Sequence, residues 1–181
     1  ICIVISPLVA LMHDQVNNLN SKGIKSMALT SGFSHSDLDR MLDNCIFGNY
    51  KFLYLSPERL QQDLVQQRIK QMNVNLIAVD EAHCISQWGH DFRPAYRDIK
   101  LLRKIHPTVN VIGLTASATS KVVDDISDQL DCISPKIFKT SFERSNLAYL
   151  NRECHDKLKK TVQVVKKYSG TSIIYVKNRK T

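Results

Sequence analysis

The chain has 181 residues and a formal charge of +8. Its 43% hydrophobic and 23% charged residues are a globular balance, which excludes a disordered or low-complexity chain. No apolar run reaches the roughly 20 residues of a bilayer span. The apolar opening Ile1–Met12 is split by Ser6-Pro7 and lacks a basic leader, so it is not read as a signal peptide.

In chain order, short β-rich apolar runs alternate with helical stretches. Residues 1–6 read as a buried strand, and Pro7 is placed to open a helix that runs to about Lys22 and stops at Gly23. Residues 25–30 form a second strand. Ser34 and Asp37, in the spacing of a capping-box variant, start a helix that ends near Gly48. Residues 51–56 are a third strand, followed by a helix from Pro57 to about Met72. A fourth strand covers 74–79, a helix 94–105, a fifth strand 109–115 and a helix 119–130. A sixth strand is predicted at 136–140. After Ser141 the rhythm restarts: a polar connector at 142–146, a short strand at 147–150, a helix at 156–168 and a strand at 171–176. In that helix Leu158, Val162 and Val165 mark a buried face, and Lys157, Lys159, Lys160, Lys166 and Lys167 a solvated one.

Strands alternating with helices indicate βαβ units and a parallel sheet covered on both faces. Ligands of such sheets bind beyond the carboxyl ends of the strands. Ser6, Ser56, Asp80, Thr115 and Ser141 fall at or just past those ends. The domain boundary is expected near 141–146, giving segments 1–141 and 142–181.

Charge and cysteines narrow the function. Residues 1–90 carry 7 basic and 8 acidic groups, 91–135 carry 6 of each, and 136–181 carry 12 and 3. A basic balance suggests nucleic acid, but here the excess sits in the last quarter. The five cysteines include no C-x-x-C pair, so no zinc site is expected, and their scatter suits a reducing compartment. As free thiols they read as small buried hydrophobes.

The apolar strand 75–79 leads into Asp80-Glu81-Ala82-His83. Two adjacent carboxylates at a strand end suit magnesium and water activation: Asp80 can hold Mg²⁺ through its water shell, with Glu81 beside it. Glu81 can also take a proton from an attacking water. Downstream, Trp88 and Phe92 flank Gly89 and sit among His90, Asp91 and Arg93. Such a pair can be core packing, or it can stack bases while Arg93 contacts phosphate. Ser6-Pro7 and Ser56-Pro57 each precede a helix, and are either plain caps or phosphate contacts. Thr115, Ser117 and Thr119 line a strand-to-helix turn, where capping alone could explain Thr119.

From Asp80 to Pro94 the stretch Asp-Glu-Ala-His-Cys-Ile-Ser-Gln-Trp-Gly-His-Asp-Phe-Arg-Pro resembles motif II and the aromatic-rich loop of RecQ-family DNA helicases, in helicase superfamily 2. Residues 6–16 resemble motif Ia, 54–60 motif Ib, 113–119 motif III and 172–176 the start of motif IV. Residues 141–149 resemble the connector between the two helicase domains, with Ser145 where the family usually has proline.

The resemblance implies an α/β fold, with a RecA-like parallel sheet and helices on both faces. It implies an ATP-dependent 3′→5′ DNA helicase acting on single-stranded and partly duplex DNA, with ATP and Mg²⁺ as cofactors and no membrane association. Glu81, Asp80 and His83 are then catalytic. Gln87, Trp88, His90, Phe92, Arg93, Thr115, Ser117 and Thr119 couple the nucleotide site to DNA. Ser6, Pro7, Ser56, Pro57, Trp88, Phe92 and Arg93 bind the strand. The expected location is the bacterial cytoplasm, at the nucleoid, or a eukaryotic nucleus.

A phosphate cradle of the form G-x-x-x-x-G-K-[ST] is missing, since none of the six glycines is followed by lysine. In the family it precedes motif Ia. The chain therefore reads as an internal fragment: a first RecA-like domain without its P-loop βα unit, and a truncated second one. The alternative is a non-catalytic remnant that binds single-stranded DNA.

Overall fold

The computed structural model describes residues 1–141 and 143–176. The chain divides into two units, Ile1–Ile137 and Phe138–Thr181. Phe142, the first residue of the expected connector, and residues 177–181 lie outside the described residues.

The first unit is built on five parallel strands: β1 (Cys2–Ile5), β2 (Ser26–Leu29), β3 (Phe52–Leu55), β4 (Leu76–Val79) and β5 (Asn110–Gly113). Their order is β2-β3-β1-β4-β5. Val4 lies opposite Tyr54 on one side and Ala78 on the other, and Ala78 lies opposite Ile112. Side chains alternate between faces along a strand, so this row shares one face. Helix α1 (Val9–Ser21) covers it with Met12, Val16 and Leu19. The opposite face, with Ile3, Ile5, Leu53, Leu55, Ile77 and Val79, carries the larger core. It packs against α2 (His35–Phe47), α3 (Asp63–Gln71), α4 (Lys100–Ile105) and the end of α5 (Ser120–Gln129), through Leu42, Ile69, Leu102 and Ile126 among others.

Local chemistry sets the helix ends. Ser34 Oγ accepts from the Asp37 N–H at 3.1 Å and caps α2. Gly23, just past α1, sits at φ 76°, where glycine meets no Cβ penalty. Arg68 on α3 reaches Asp39 and Asp43 on α2 at 2.7 and 3.0 Å.

Three helical expectations are corrected. Pro7 does not open α1: the chain bends at Pro7, Leu8 is extended, and the helix starts at Val9. The stretch 57–72 is not one helix. A 3-10 turn, Pro57–Gln61, ends at an extended Gln62 before α3 begins. Its Arg59 guanidinium donates to the Thr30 carbonyl and, at 3.0 Å, to Gln62 Oε1, which holds that break. The stretch 94–105 likewise divides into a 3-10 segment, Pro94–Ile99, followed by α4.

The second unit contains one described helix, α6 (Lys157–Lys167), capped by Asp156 Oδ1 on the Lys159 N–H at 2.9 Å. The strands expected at 136–140, 147–150 and 171–176 are not formed. A strand exists only through a hydrogen-bonded neighbour, and these segments have none here. Leu158, Val162 and Val165, expected to be buried, are exposed, Leu158 most of all. No helix among the described residues is long and apolar enough to cross a membrane.

Candidate functional site

The site gathers where β1, β4 and β5 end. The Asp80 N–H continues the ladder by donating to the Ile5 carbonyl at 2.8 Å, so Asp80 leaves the sheet beside Ser6. Its carboxylate accepts from Ser6 Oγ at 3.2 Å and from the Glu81 N–H at 2.9 Å. Its carbonyl accepts from the fully buried Tyr96 hydroxyl at 3.0 Å. Burial pushes that phenol well above its usual pKa, so Tyr96 is a fixed donor.

Glu81 then adopts a left-handed backbone, φ 47° and ψ 45°. For a residue with a Cβ this costs about 1–3 kcal/mol, and it persists where surrounding structure enforces it. The next N–H, of Ala82, donates to the Leu114 carbonyl at 2.9 Å, and the Leu114 N–H donates to Val79 at 2.8 Å. These two bonds lock the reversal against the end of β5 and start a 3-10 turn over Ala82–Ile85.

His83 lies buried within that turn. Its Nδ1 is 3.2 Å from Glu81 Oε2 and 3.0 Å from Thr115 Oγ1. Thr115 Oγ1 is the hydrogen-bond partner of Nδ1, and the Glu81 carboxylate is its close acidic neighbour. Burial first, and the neighbouring His90 second, lower the His83 pKa from its ordinary 6.5. The rings of His83 and His90 stack 4.2 Å apart at 19°.

The loop between the 3-10 turn and Pro94 closes on itself. The Trp88 N–H donates to Ser86 Oγ at 3.1 Å and the Gly89 N–H to the Ser86 carbonyl at 3.1 Å. Any Cβ on Gly89 would collide with the His83 carbonyl oxygen, so this close approach requires glycine. Arg93 donates to Asp91 at 3.2 Å and to the Pro7 carbonyl at 3.4 Å. Phe92 is half-buried under the Arg97 guanidinium, 5.1 Å from the ring centre. Gln87 and His90 are exposed.

Glu81, His83, Cys84, His90, Asp91 and Arg93 line an open cleft of about 250 Å³, together with Pro7, Leu8, Ala116 and Ser117. Most of the residues expected to act together are therefore neighbours. Thr115 Oγ1 also accepts from the Ser117 N–H at 3.3 Å, while Thr119 caps α5 through the Val122 N–H at 3.4 Å.

Ser6 and Ser56 stand elsewhere than expected. Ser6 is 1% exposed, with its hydroxyl on Asp80 and its N–H on the Leu55 carbonyl. Its side chain supports the carboxylate. Ser56 is half-buried, Pro57 is buried, and the helix they precede is a 3-10 turn of five residues. Tyr96 and Ser86 escaped the sequence reading, because nothing in their spacing marks a buried partner for Asp80 or a loop cap. Lys121 escaped it as well: its ammonium lies 3.1 Å above the centre of the Trp88 ring.

A five-stranded parallel sheet with paired carboxylates at a strand end and a glycine-pinned aromatic loop beside them defines an α/β domain whose candidate site lies beyond the strand ends. The family model described as DEAD/DEAH box helicase matches residues 1–126. The chain belongs to the DEAD/DEAH box helicase family. Its relatives are RecQ-family ATP-dependent DNA helicases.

It is 44% identical over 148 residues to the ATP-dependent DNA helicase RecQ of Bacillus subtilis, covering 81% of this chain and 25% of that one. It is 37% identical over 182 aligned positions to the probable ATP-dependent DNA helicase RecS of the same organism, covering 98% and 36%. Against the mouse bifunctional 3'-5' exonuclease/ATP-dependent helicase WRN it is 39% identical, covering 98% and 13%. The chain thus spans about a quarter to a third of the bacterial relatives' length. Among solved structures, the helicase domain of Pyrococcus furiosus Hef shares the fold, with a TM-score of 0.54 and 22% identity, covering 72% of this chain and 26% of that one.

Proposed function

We propose that this chain is the part of a RecQ-type ATP-dependent DNA helicase that activates the hydrolytic water and relays nucleotide state to DNA. The observation that carries the reading is the continuous contact from Glu81 through His83 to His90. It joins the carboxylates at the end of β4 to the aromatic loop. Glu81 acts as general base, with His83 and Thr115 orienting it. Trp88 and Phe92 offer ring surface to single-stranded DNA next to a duplex, and Arg93 a cation.

Asp80 fits magnesium. Each of its oxygens accepts one hydrogen bond and retains a lone pair. Among the described residues no group of three or more His, Cys, Asp or Glu could hold a metal alone. A lone strand-end carboxylate beside Glu81 suits an ion that keeps most of its water and is shared with nucleotide phosphates. Bound there, the ion would neutralise phosphate charge.

A phosphate cradle carried on a further βα unit would find its place beside β5. β5 is an edge strand whose Ile112 is 43% exposed. The crossing from β1 to β2 runs toward the β2 edge and carries α1 on one face; those ending in β3, β4 and β5 run the other way, with α2, α3 and α4 on the opposite face. A strand beside β5 that connects right-handedly to β1 would put its helix on α1's face, over Ala78 and Ile112. On this reading 1–141 belongs to the first RecA-like domain and 142–181 begins the second. The protein would work at a bacterial nucleoid or in a eukaryotic nucleus.

The test is Glu81→Gln in the whole protein. DNA-stimulated ATP turnover should fall about a hundred- to ten-thousandfold, the usual worth of a positioned base, while ATP binding persists. Near-normal turnover would overturn the assignment.

A further inference from the structure

We infer that Lys121, at the start of α5, is a phosphate contact that works with Trp88 as one composite site for single-stranded DNA. The inference rests on the proposed role of the aromatic loop and adds to it a residue from a different element.

Trp88 is the sole tryptophan of the chain and is 65% exposed. A large indole left in solvent beside a cleft is an available stacking surface. Lys121 is exposed, and its ammonium sits 3.1 Å above the centre of that ring. The choice of partner is informative. Asp124 and Asp125 stand three and four residues further along α5, the spacings at which a helix pairs opposite charges. Among the described residues neither forms an ion pair with Lys121, which reaches across to the loop instead.

A cation held only by a ring keeps its capacity for an anion. A base on the indole brings its own phosphate with it, and a lysine beside the stack supplies a point charge for that phosphate. Lys121 also stands two residues past Thr119, whose side chain caps α5. A phosphate drawn by Lys121 therefore lies close to the turn that carries Thr115 and Ser117.

The experiment measures binding of a short labelled oligothymidylate to the 181-residue chain across a salt series, for the wild type, Lys121→Met, Lys121→Arg and Trp88→Ala. One lost phosphate contact on a single strand lowers the slope of log affinity against log salt by about 0.7 and weakens binding about fivefold near 0.1 M salt. Lys121→Met should show both effects, and Lys121→Arg should restore them. Trp88→Ala should weaken binding with the slope unchanged. Without DNA, Lys121→Met should shift Trp88 emission, which reports the loss of the ammonium from the ring. A wild-type slope in Lys121→Met, with Trp88→Ala still weak, overturns the role of Lys121 and leaves the loop's role standing. Unaltered binding in both variants overturns the two together.

Discussion

The imidazoles of His83 and His90 lie nearly parallel with centres 4.2 Å apart, although six residues separate them. One belongs to the turn that holds Glu81 and the other to the loop that carries Trp88. The stack is a direct side-chain contact between the two, and its loop member, His90, is exposed. Replacing His90 by alanine should therefore separate the two activities. DNA-stimulated ATP turnover by the whole protein should fall by about tenfold, short of the roughly hundredfold that a 1 Å misplacement can cost. Turnover without DNA should hardly change. Equal losses with and without DNA would show that the stack only supports Glu81.

Gly89 tests the loop's geometry. A methyl group there would meet the His83 carbonyl oxygen, with the Ser86 carbonyl oxygen a further 3.2 Å contact. Both neighbours are backbone and cannot rotate away. Gly89→Ala should cost about 1–3 kcal/mol, the usual range for forcing atoms into a packed site. Thermal denaturation should show a drop of several degrees, accompanied by a change in Trp88 emission. An unchanged midpoint would mean that the loop does not fold back over His83.

Tyr96 gives the corresponding test beneath the carboxylates. Its hydroxyl is the buried partner of the Asp80 carbonyl. Tyr96→Phe keeps the ring but leaves that acceptor unsatisfied, a loss of about 1–3 kcal/mol. Urea denaturation should report it as a lower midpoint with an unchanged slope.

The thiols provide a pH test. Burial first, and the Asp91 carboxylate second, push Cys84 up to about 11. Burial alone pushes Cys45 up to about 12. Both remain protonated at pH 8, so iodoacetamide should spare them in the folded chain and label them once it is unfolded. For an acid whose folded pKa is raised, the stabilisation is complete below the unfolded value of 9.0 and is lost as pH rises through the folded one. Stability should accordingly decline from about pH 9 to 12. Rapid labelling of Cys84 at pH 8 would contradict its burial against Asp91.

The order of strands through β5 is readable because each strand is a short apolar run, and α2, α5 and the end of α1 are readable from Ser34, Thr119 and Gly23, whereas the helices without such a signal start or break elsewhere than their composition suggests. The strand-end rule then brought Asp80 and Thr115 to one edge of the sheet. Other features depend on a partner remote in sequence. Ser6 looked like a helix cap beside Pro7, yet β1 and β4 are neighbours and turn its hydroxyl to Asp80. Lys121 is one of 25 basic residues, and only the fold sets it over Trp88. The segments 136–140 and 171–176 have strand-like composition, but composition does not supply the neighbouring strand they need.

The left-handed backbone at Glu81 has a consequence for how such sites decay. Of all residues, glycine occupies φ 47° with least strain, and Glu81→Gly would relieve some of the roughly 1–3 kcal/mol held there. Loss of the carboxylate at this position is therefore not opposed by the local backbone.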